Sequence, residues 1–442
     1  MKKVILLPLL ILSICAITNQ KLIAQNTNST TALNKEEQKV MDYIDANMPR
    51  AIALLKESVN INSGTLNKKG VREVGIVFDT AFKSIGFTTE WIEMPEEMNR
   101  AGHFFASLNG TKGKKLLLIG HLDTVFEENS PFQKFEKTND SIAYGPGAND
   151  MKGGDVVVFY ALKALADLNL LKDANITVAF TGDEESTGKP LSISRKELIE
   201  AAKGADIALG FETSTGFDNA TIARRGASGW KVEVEGKRAH SSGIFSDYTG
   251  AGAIFEMSRI LNSFYEQVRG EEYLTFNPGT LLGGTFINYD SQTSSGDTFG
   301  KTNVVAQTSV VHGGLRFISE EQKENARAKM REIVSNNLPQ TKAKISFTDS
   351  YPAMGPTDGN RALLAILNEV SLSLGHEGVT AYDPGRRGAA DISFVADYVD
   401  GLDGLGTMGN GAHTPKETVN LKTMNALIQR TAIFIYRLIS MD

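Results

Sequence analysis

The sequence predicts an α/β protein: a discontinuous large domain built on a mostly parallel central sheet, with a smaller domain inserted into it. Three observations support this prediction. Apolar runs of strand length alternate with helical runs up to about residue 225, the order changes over residues 226–349, and the alternation then resumes. At 442 residues the chain is also too long for one ordinary core.

The first part of the large domain spans residues 26–225. A helix is expected over 35–59, and another over 155–168, where DVVVFYALKALADL has helical length and follows two glycines. Strands are expected over 88–92, 103–108, 115–119, 176–180 and 207–211. This alternation of strands and helices favours parallel pairing, with the ligand site at the carboxyl ends of the strands.

The inserted domain, residues 226–349, follows the order β-α-β-β-α-β, which is typical of a ferredoxin-like fold. Its strands are expected over 229–235, 274–289, 303–317 and 342–347, and an amphipathic helix over 249–268. A second helix begins at Ser319, where Ser319 and Gln322 can form a capping box, and ends near Leu338. The large domain continues over 350–442, with helices over 360–374 and 421–439.

Residues 1–25 have the pattern of an export signal peptide: Lys2 and Lys3, an apolar run over 4–14, then small and polar residues. The pattern predicts an exported protein, periplasmic or secreted. No other apolar stretch reaches spanning length, so the mature chain is expected to lack a transmembrane segment. The single cysteine, Cys15, ends the apolar run. Lipid attachment at Cys15 is less favoured, because Ile14 stands where a small residue is expected.

The charge balance argues against a nucleic-acid partner. The formal net charge is −6, from 46 basic and 52 acidic residues that are spread without long blocks. A nucleic-acid-binding domain is expected to concentrate basic residues on one face. Binding to a polyanion is therefore disfavoured.

Acidic residues and an imidazole follow the apolar strands at the points where those strands end. His121 and Asp123 stand in GHLDT after one strand, Glu184 and Glu185 stand in GDEES after another, and Glu212 ends a third. Because open α/β sheets bind their ligands at the carboxyl ends of strands, these side chains are expected to converge. Taken singly, each also fits a polar strand end or a solvated charge run.

Three further candidates lie in glycine-rich segments. Asp150 stands in GPGANDMKGG, where glycines allow a backbone that brings one carboxylate into a crowded centre; a turn before the next helix is the alternative. His413 follows GNGA near the C-terminus. His240, in GKRAHSSG, can present its ring to a group outside its own domain. The other imidazoles are expected to be structural or solvated: His103, His312 and His376.

At these residues the sequence resembles the co-catalytic dizinc metallopeptidase family that includes bacterial glutamate carboxypeptidase, aminoacylase and several di- and tripeptidases. The resemblance extends from about residue 36 to the end of the chain. It rests on six motifs in order: HLDTV at 121–125, GPGANDMKGG at 145–154, DEE at 183–185, FE at 211–212, GKRAHSSG at 236–243 and GNGAHT at 409–414.

The resemblance implies two Zn²⁺ ions in each subunit, bridged by Asp150. One zinc would be completed by His121 and Glu212, and the other by Glu185 and His413. This mixed nitrogen and oxygen ligand set suits zinc, with manganese or cobalt as alternatives. The ligands would all come from the large domain, which is therefore the expected catalytic domain.

The resemblance also implies roles for residues outside the ligand set. Glu184 would act as general base and then general acid, and Asp123 would orient the ring of His121. The inserted domain would be a lid and dimerisation domain. In the resulting homodimer, His240 would reach the partner subunit's active site and stabilise the oxyanion. Substrate contacts would come from Asn303, Arg316 and Gly388.

The implied function is a carboxypeptidase-like exopeptidase that hydrolyses a peptide or amide bond next to a free carboxylate in a small peptide. An N-acyl-amino-acid amidohydrolase with the same ligands is the alternative, and a non-catalytic binding protein is the third interpretation. The chain departs from the family at two places. Ala306 replaces a proline in the lid segment, and Tyr351 replaces a basic residue found in some glutamate-specific members.

Overall fold

The computed structural model describes residues 32–290 and 293–441, so the predicted export signal and Cys15 lie outside the described residues. The helices are α1 (Lys35–Val59), α2 (Lys68–Lys83), α3 (Lys152–Asp167), α4 (Leu191–Ser194), α5 (Lys196–Lys203), α6 (Ala253–Gln267), α7 (Glu320–Ser335), α8 (Asp358–Ser373) and α9 (Leu421–Ile439). Within those ranges, no helix has both the length and the apolar character needed to cross a bilayer.

The strands of the described residues form one six-stranded sheet, two four-stranded sheets and two two-stranded ribbons. In chain order they are β1 (Thr88–Ile92), β2 (His103–Asn109), β3 (Lys112–His121), β4 (Glu136–Lys137), β5 (Ile142–Tyr144), β6 (Ala174–Thr181), β7 (Ile207–Gly210), β8 (Asn219–Ala220), β9 (Gly226–Gly236), β10 (Thr275–Gly284), β11 (Phe286–Asp290), β12 (Ser295–Phe299), β13 (Thr308–Phe317), β14 (Thr341–Asp349), β15 (Thr380–Ala381), β16 (Gly401–Leu402), β17 (Gly409–Asn410) and β18 (Thr418–Asn420).

The large sheet is mixed, with strand order β1-β2-β6-β3-β7-β16. Strands β6, β3, β7 and β16 pair in parallel, whereas β1 and β2 form an antiparallel edge. The prediction of a mostly parallel sheet is therefore right for one half of the sheet. The strands of this half lead to His121, to the acidic segment 183–185 and to Glu212. Parallel neighbours bring their carboxyl ends to one edge, which is how three segments distant in sequence meet.

Helices cover both faces of the parallel half, so its strands are apolar along their length rather than alternating. In β3, Leu116 and Leu118 face the main core under α1, α3 and α9. Leu117 and Ile119 face a second core that includes Leu198 of α5. The centre of the sheet is thus a rigid support for the residues that follow it.

Helix α2 is absent from the sequence prediction. Its apolar face, Val71, Val74, Phe78 and Phe82, is fully buried, but two glycines interrupt the helical pattern in the sequence. One of them has a packing reason: a Cβ on Gly75 would lie 2.2 Å from the ring of Trp91 in β1. The glycine lets the helix approach the edge strand closely.

The inserted unit begins with β9 and ends with β14, and its four long strands form an antiparallel sheet of order β10-β13-β9-β14. Helices α6 and α7 pack on this sheet, and Trp230, Val232 and Phe264 are among the residues of a separate hydrophobic core. The β11–β12 hairpin projects between β10 and β13 and was not predicted. The unit therefore has an interior of its own.

Several predicted boundaries in the inserted unit are wrong. The strand expected over 274–289 breaks at Gly284, where a Cβ would lie 2.5 Å from Thr298 Oγ1 of the hairpin. The strand expected over 303–317 begins at Thr308, because residues before it pair instead with the His240 segment. Helix α6 begins at Ala253 rather than 249, since Gly250 and Gly252 have φ of +69° and +76°.

The predicted capping box at Ser319 is only half formed. Ser319 Oγ accepts a hydrogen bond from Gln322 N at 3.1 Å, as expected for an N-cap. However, the side chain of Gln322 accepts from Ile318 N rather than from Ser319 N. Helix α7 also ends at Ser335, three residues before the predicted Leu338.

Candidate metal centre

Side chains from the ends of β3, β6 and β7 meet with the Asp150 loop and the C-terminal GNGAHT segment. They form two groups that share one carboxylate, Asp150. Each group offers one histidine nitrogen and two carboxylate oxygens, all within 4.8 Å of one another. The groups are His121, Asp150 and Glu212, and Asp150, Glu185 and His413.

The first group surrounds the buried ring of His121. His121 Nε2 lies 3.6 Å from Asp150 Oδ1 and 3.6 Å from Glu212 Oε1. This nitrogen is buried and has no hydrogen-bond partner among the described residues. Ligand atoms about 3.4 Å apart are expected around a tetrahedral zinc with bonds of about 2.1 Å. The spacing therefore fits a divalent cation.

The second group uses the other oxygen of the shared carboxylate. His413 Nε2 lies 3.2 Å from Asp150 Oδ2 and 3.1 Å from Glu185 Oε2. Glu185 Oε1 is buried with no hydrogen-bond partner in the described chain. His413 has φ of +63°, a conformation that is uncommon for a residue with a side chain and that concentrates at functional sites. The two oxygens of Asp150 thus face two separate groups.

The crowded carboxylates perturb one another strongly. Burial, followed by the charge of Asp150, raises the pKa of Glu212 to about 7. Burial and the charge of Glu212 raise the pKa of Glu184 well above its usual range. Hydrogen bonds to Asp150 and Glu185 raise the pKa of His413 to about 11. Carboxylates held this close need protons or cations between them, and metal binding displaces the protons.

Asp123 differs from the prediction in how it contacts His121. His121 Nδ1 donates to the backbone carbonyl of Asp123 at 3.0 Å, whereas the Asp123 carboxylate lies 3.4 Å away. That carboxylate accepts from the backbone amides of Glu184 and Glu185 at 3.0 and 3.1 Å, and from Thr65 Oγ1 at 2.6 Å. Asp123 therefore holds the acidic segment, and its backbone sets the ring so that Nε2 faces the ligand group.

Asp183, the first acid of the run, belongs to a buried ion-pair network rather than to either ligand group. The Arg195 guanidinium pairs with Asp183 and, through Nε at 2.8 Å, with Asp391. All three side chains are almost completely buried, so their charges compensate one another. Arg195 and Asp391 fasten the strand end to the loop after Gly388, and Arg195 was not singled out from the sequence.

Glu417 and Tyr351 also hold the site without belonging to the ligand groups. The Glu417 carboxylate accepts from the backbone amides of Asn149 at 2.8 Å and Asp150 at 3.0 Å. The Tyr351 hydroxyl donates to the backbone carbonyl of Glu184 at 2.7 Å. In the sequence, Tyr351 stood out only because it replaces a basic residue of some family members. No local sequence pattern indicated that Glu417 would contact the site.

A cavity of about 210 Å³ opens beside the two groups. It is lined by Asp150, Glu184, Glu212, Thr213, Arg224, Arg386, Arg387, Gly388, Ala389 and His413. Gly388, a predicted substrate contact, is thus beside the ligand groups. A larger cavity of about 820 Å³ lies on the inserted unit against the β11–β12 hairpin, and none of the candidate ligands lines it.

The structure does not bring the inserted-unit candidates to this cavity. His240 is exposed, and its Nδ1 lies 2.8 Å from Ser242 Oγ. Asn303 is its neighbour, since the Asn303 carbonyl accepts from the amide of Ser241. Arg316 lies in β13 opposite Ala227. None of the three predicted residues lines the cavity within the described part of their own chain.

Comparisons with known proteins found relatives in sequence and in structure. A curated relative, carboxypeptidase G2 of Pseudomonas sp. (strain RS-16), is 26% identical over 402 residues, covering 88% of each chain. A succinyl-diaminopimelate desuccinylase of Rickettsia bellii (strain RML369-C) is 24% identical over 84% of this chain and 93% of its own. The structure of aminopeptidase PepT from Bacillus cereus ATCC 10987 superposes with a TM-score of 0.69 at 18% identity, covering 89% of this chain and 99% of that one.

A family model covers most of the same residues. The model described as peptidase family M20/M25/M40 matches residues 117–437, which include every residue of the two ligand groups. The match takes in both the parallel half of the large sheet and the whole inserted unit. The chain is therefore a hydrolase that belongs to peptidase family M20/M25/M40.

Proposed function

We propose that this protein is a two-metal exopeptidase that hydrolyses a peptide or amide bond next to a free carboxylate, as a carboxypeptidase does. One observation carries the proposal: the two oxygens of Asp150 face two groups, each with a buried nitrogen or oxygen that has no hydrogen-bond partner in the described chain. Zinc is the proposed metal because imidazole and carboxylate ligands at this spacing suit it. Manganese and cobalt are the alternatives.

The residues around the metals then have defined tasks. A bound pair of divalent cations supplies Lewis acidity and makes an attacking water more acidic. Glu184 lines the cavity outside both groups, so its carboxylate is free to accept the water's proton and pass it to the leaving nitrogen. Asp123 and Tyr351 hold the backbone on either side of that carboxylate.

The inserted unit has a proposed role as a ferredoxin-like lid and dimerisation domain over residues 226–349, with the catalytic domain over 26–225 and 350–442. Its separate core supports the division. His240 and Asn303 lie together on its surface and outside the cavity of their own chain. That position suits a homodimer in which His240 serves the partner's site and closure brings Asn303 and Arg316 to the substrate.

An N-acyl-amino-acid amidohydrolase is the second candidate. The sequence relatives of comparable coverage include desuccinylases, whose name denotes removal of an acyl group. A panel of dipeptides and N-acetylated or N-succinylated amino acids separates the two functions. Faster turnover of dipeptides supports the exopeptidase, and turnover confined to acylated amino acids supports the amidohydrolase.

Metal analysis tests the shared part of both candidates. We expect close to two zinc ions per chain, loss of hydrolysis after dialysis against a chelator, and recovery when zinc is restored. Full hydrolysis by metal-free protein would contradict the two-metal proposal. The protein is further proposed to be exported after removal of residues 1–25, which N-terminal sequencing of the mature protein tests.

A further inference from the structure

Three arginines form one wall of the cavity beside the ligand groups: Arg224, Arg386 and Arg387. Arg224 is held in place on two sides, because its Nε pairs with the buried Asp403 and its Nη1 donates to the carbonyl of Gly388 at 2.9 Å. Its remaining nitrogen, Nη2, is buried and has no hydrogen-bond partner in the described chain. The Arg224 guanidinium is therefore fixed in position, with one buried donor that has no acceptor among the described residues.

Arg387 has fewer partners still. The one side-chain hydrogen bond of Arg387 among the described residues runs from Nη1 to Thr213 Oγ1 and is long, at 3.5 Å. Both Nε and Nη2 are buried without a partner, and no carboxylate in the described chain pairs with this guanidinium. Burial and the neighbouring charge of Arg224 lower the pKa of Arg387 to about 10, so it remains a cation at neutral pH.

This arrangement is unfavourable unless an anion completes it. A buried guanidinium needs a carboxylate or several acceptors to offset its lost hydration, and here two guanidinium groups lie on the same wall. Three acids act on the charge of Arg387: Asp403, Glu212 and Asp150. Asp403 pairs with Arg224, and the oxygens of the other two face His121 and His413. Donors without a partner therefore remain on two residues that line the cavity, and a carboxylate, which arginine binds in a bidentate manner, is the group that would complete them.

We propose that Arg387, supported by Arg224, binds the free carboxylate of the substrate on the wall of the large domain. The proposal rests on the proposed hydrolytic function and identifies the part of the site that selects the substrate class. The cavity is small, about 210 Å³, so the carboxylate lies within a few bonds of the amide that is cut. Arg316, the carboxylate contact expected from the sequence, does not line this cavity.

The test compares a dipeptide substrate with its C-terminal carboxamide in the zinc-loaded protein. In Arg387→Ala, kcat/KM for the dipeptide falls about 10- to 100-fold, the usual size of a lost charged hydrogen bond, while the carboxamide changes little. Arg387→Lys keeps the charge but not the planar fork, so its loss is smaller. The matched control is Arg361→Ala, which removes an exposed arginine on α8 outside the cavity and leaves both substrates unchanged.

Three outcomes would overturn the assignment. An unchanged preference for the carboxylate in Arg387→Ala, or its loss in Arg316→Ala instead, would place recognition elsewhere. An equal fall for dipeptide and carboxamide would give Arg387 a role in the reaction itself rather than in binding the carboxylate. Arg224 is unsuitable for this test, because its removal would leave Asp403 as a buried unpaired charge.

A binding measurement keeps this test separate from the proposed function. If the zinc-loaded protein hydrolyses none of the panel, calorimetry with N-acetyl-L-alanine and N-acetyl-L-alanine amide still applies. Tighter binding of the acid that disappears in Arg387→Ala supports the carboxylate site although the hydrolytic proposal has failed. Equal binding of the acid and the amide to the unaltered protein contradicts the carboxylate site.

Discussion

The Asp123 carboxylate accepts a hydrogen bond from the backbone amide of Glu184 at 3.0 Å, and so joins the end of β3 to the acidic segment after β6. Asp123→Asn leaves one carbonyl oxygen where two carboxylate oxygens accept three donors. We expect a fall in kcat of about 10- to 100-fold with zinc content preserved. The control is Asp397→Asn at an exposed position; equal effects of the two substitutions would contradict a positioning role for Asp123.

Glu184→Gln tests the proton transfer directly. The amide keeps the shape of the side chain but cannot accept a proton, so we expect kcat to fall by about two to four orders of magnitude while the zinc content stays unchanged. Metal analysis and steady-state kinetics on the same preparation measure both quantities. Glu197→Gln, at the start of α5, is the matched control. Near-normal turnover in Glu184→Gln would remove Glu184 from the reaction.

Much of the two candidate ligand groups was predictable because of where their residues stand in the chain. His121, Glu185 and Glu212 follow apolar strands, and the parallel pairing of β3, β6 and β7 brings strand ends together. The residues that hold them were not predictable. Glu417 contacts the Asp150 amide across 267 positions, and Arg195 joins Asp391 across 196 positions. Such contacts depend on tertiary packing and leave no local pattern.

Other features that the sequence prediction missed depend on local geometry rather than on contacts between residues distant in sequence. A helix containing two glycines does not look like a helix in sequence, yet α2 needs Gly75 to pack against Trp91. Arg387 had a usable signal, since it lies directly before Gly388, which was expected to contact substrate. What the sequence could not indicate is that its donors would lack a partner.

The metal-free protein is expected to lose stability as the pH rises from about 4.5 to 7. Burial and Asp150 raise the pKa of Glu212 from 4.5 to about 7, so the folded protein keeps a proton that the unfolded chain releases. The stability from that proton is complete below pH 4.5 and is lost as the pH passes through 7. At about 1.4 kcal/mol per pKa unit, Glu212 alone contributes up to about 3 kcal/mol.

Urea unfolding of metal-free protein between pH 4.5 and 7.5 measures this dependence. Glu212→Gln removes the titrating group, so its unfolding free energy should change less with pH over the same interval. Burial also raises the pKa of Glu417 to about 7, which adds a residual slope of the same sign. Identical slopes for the two proteins would contradict the assignment to Glu212.

Tyr351→Phe tests the hydrogen bond to the carbonyl of Glu184. The ring still packs against Phe394, at 4.9 Å between centroids, but the hydroxyl that contacts Glu184 and Thr187 is lost. We expect the unfolding free energy to fall by about 1 kcal/mol and kcat to fall several-fold, with unchanged zinc content. Tyr398→Phe, at an exposed position, provides the baseline. No change in kcat would limit Tyr351 to a structural role.

Glu417→Gln tests whether the Asp150 loop is held by its backbone. The carboxylate accepts from the amides of Gly147, Asn149 and Asp150, all of which donate toward it. Glutamine can keep the amides of Asn149 and Asp150 on its one oxygen, but its NH₂ group then opposes the amide of Gly147, which also donates, and the loop loses one of its three anchors and the negative charge that holds the other two. Because Asp150 serves both ligand groups, we expect zinc affinity to weaken about 10- to 100-fold at both sites together.

Competition with a chromogenic chelator measures the two affinities, with Glu377→Gln on the surface as control. Weakening at one site alone would mean that the two oxygens of Asp150 are positioned independently of Glu417.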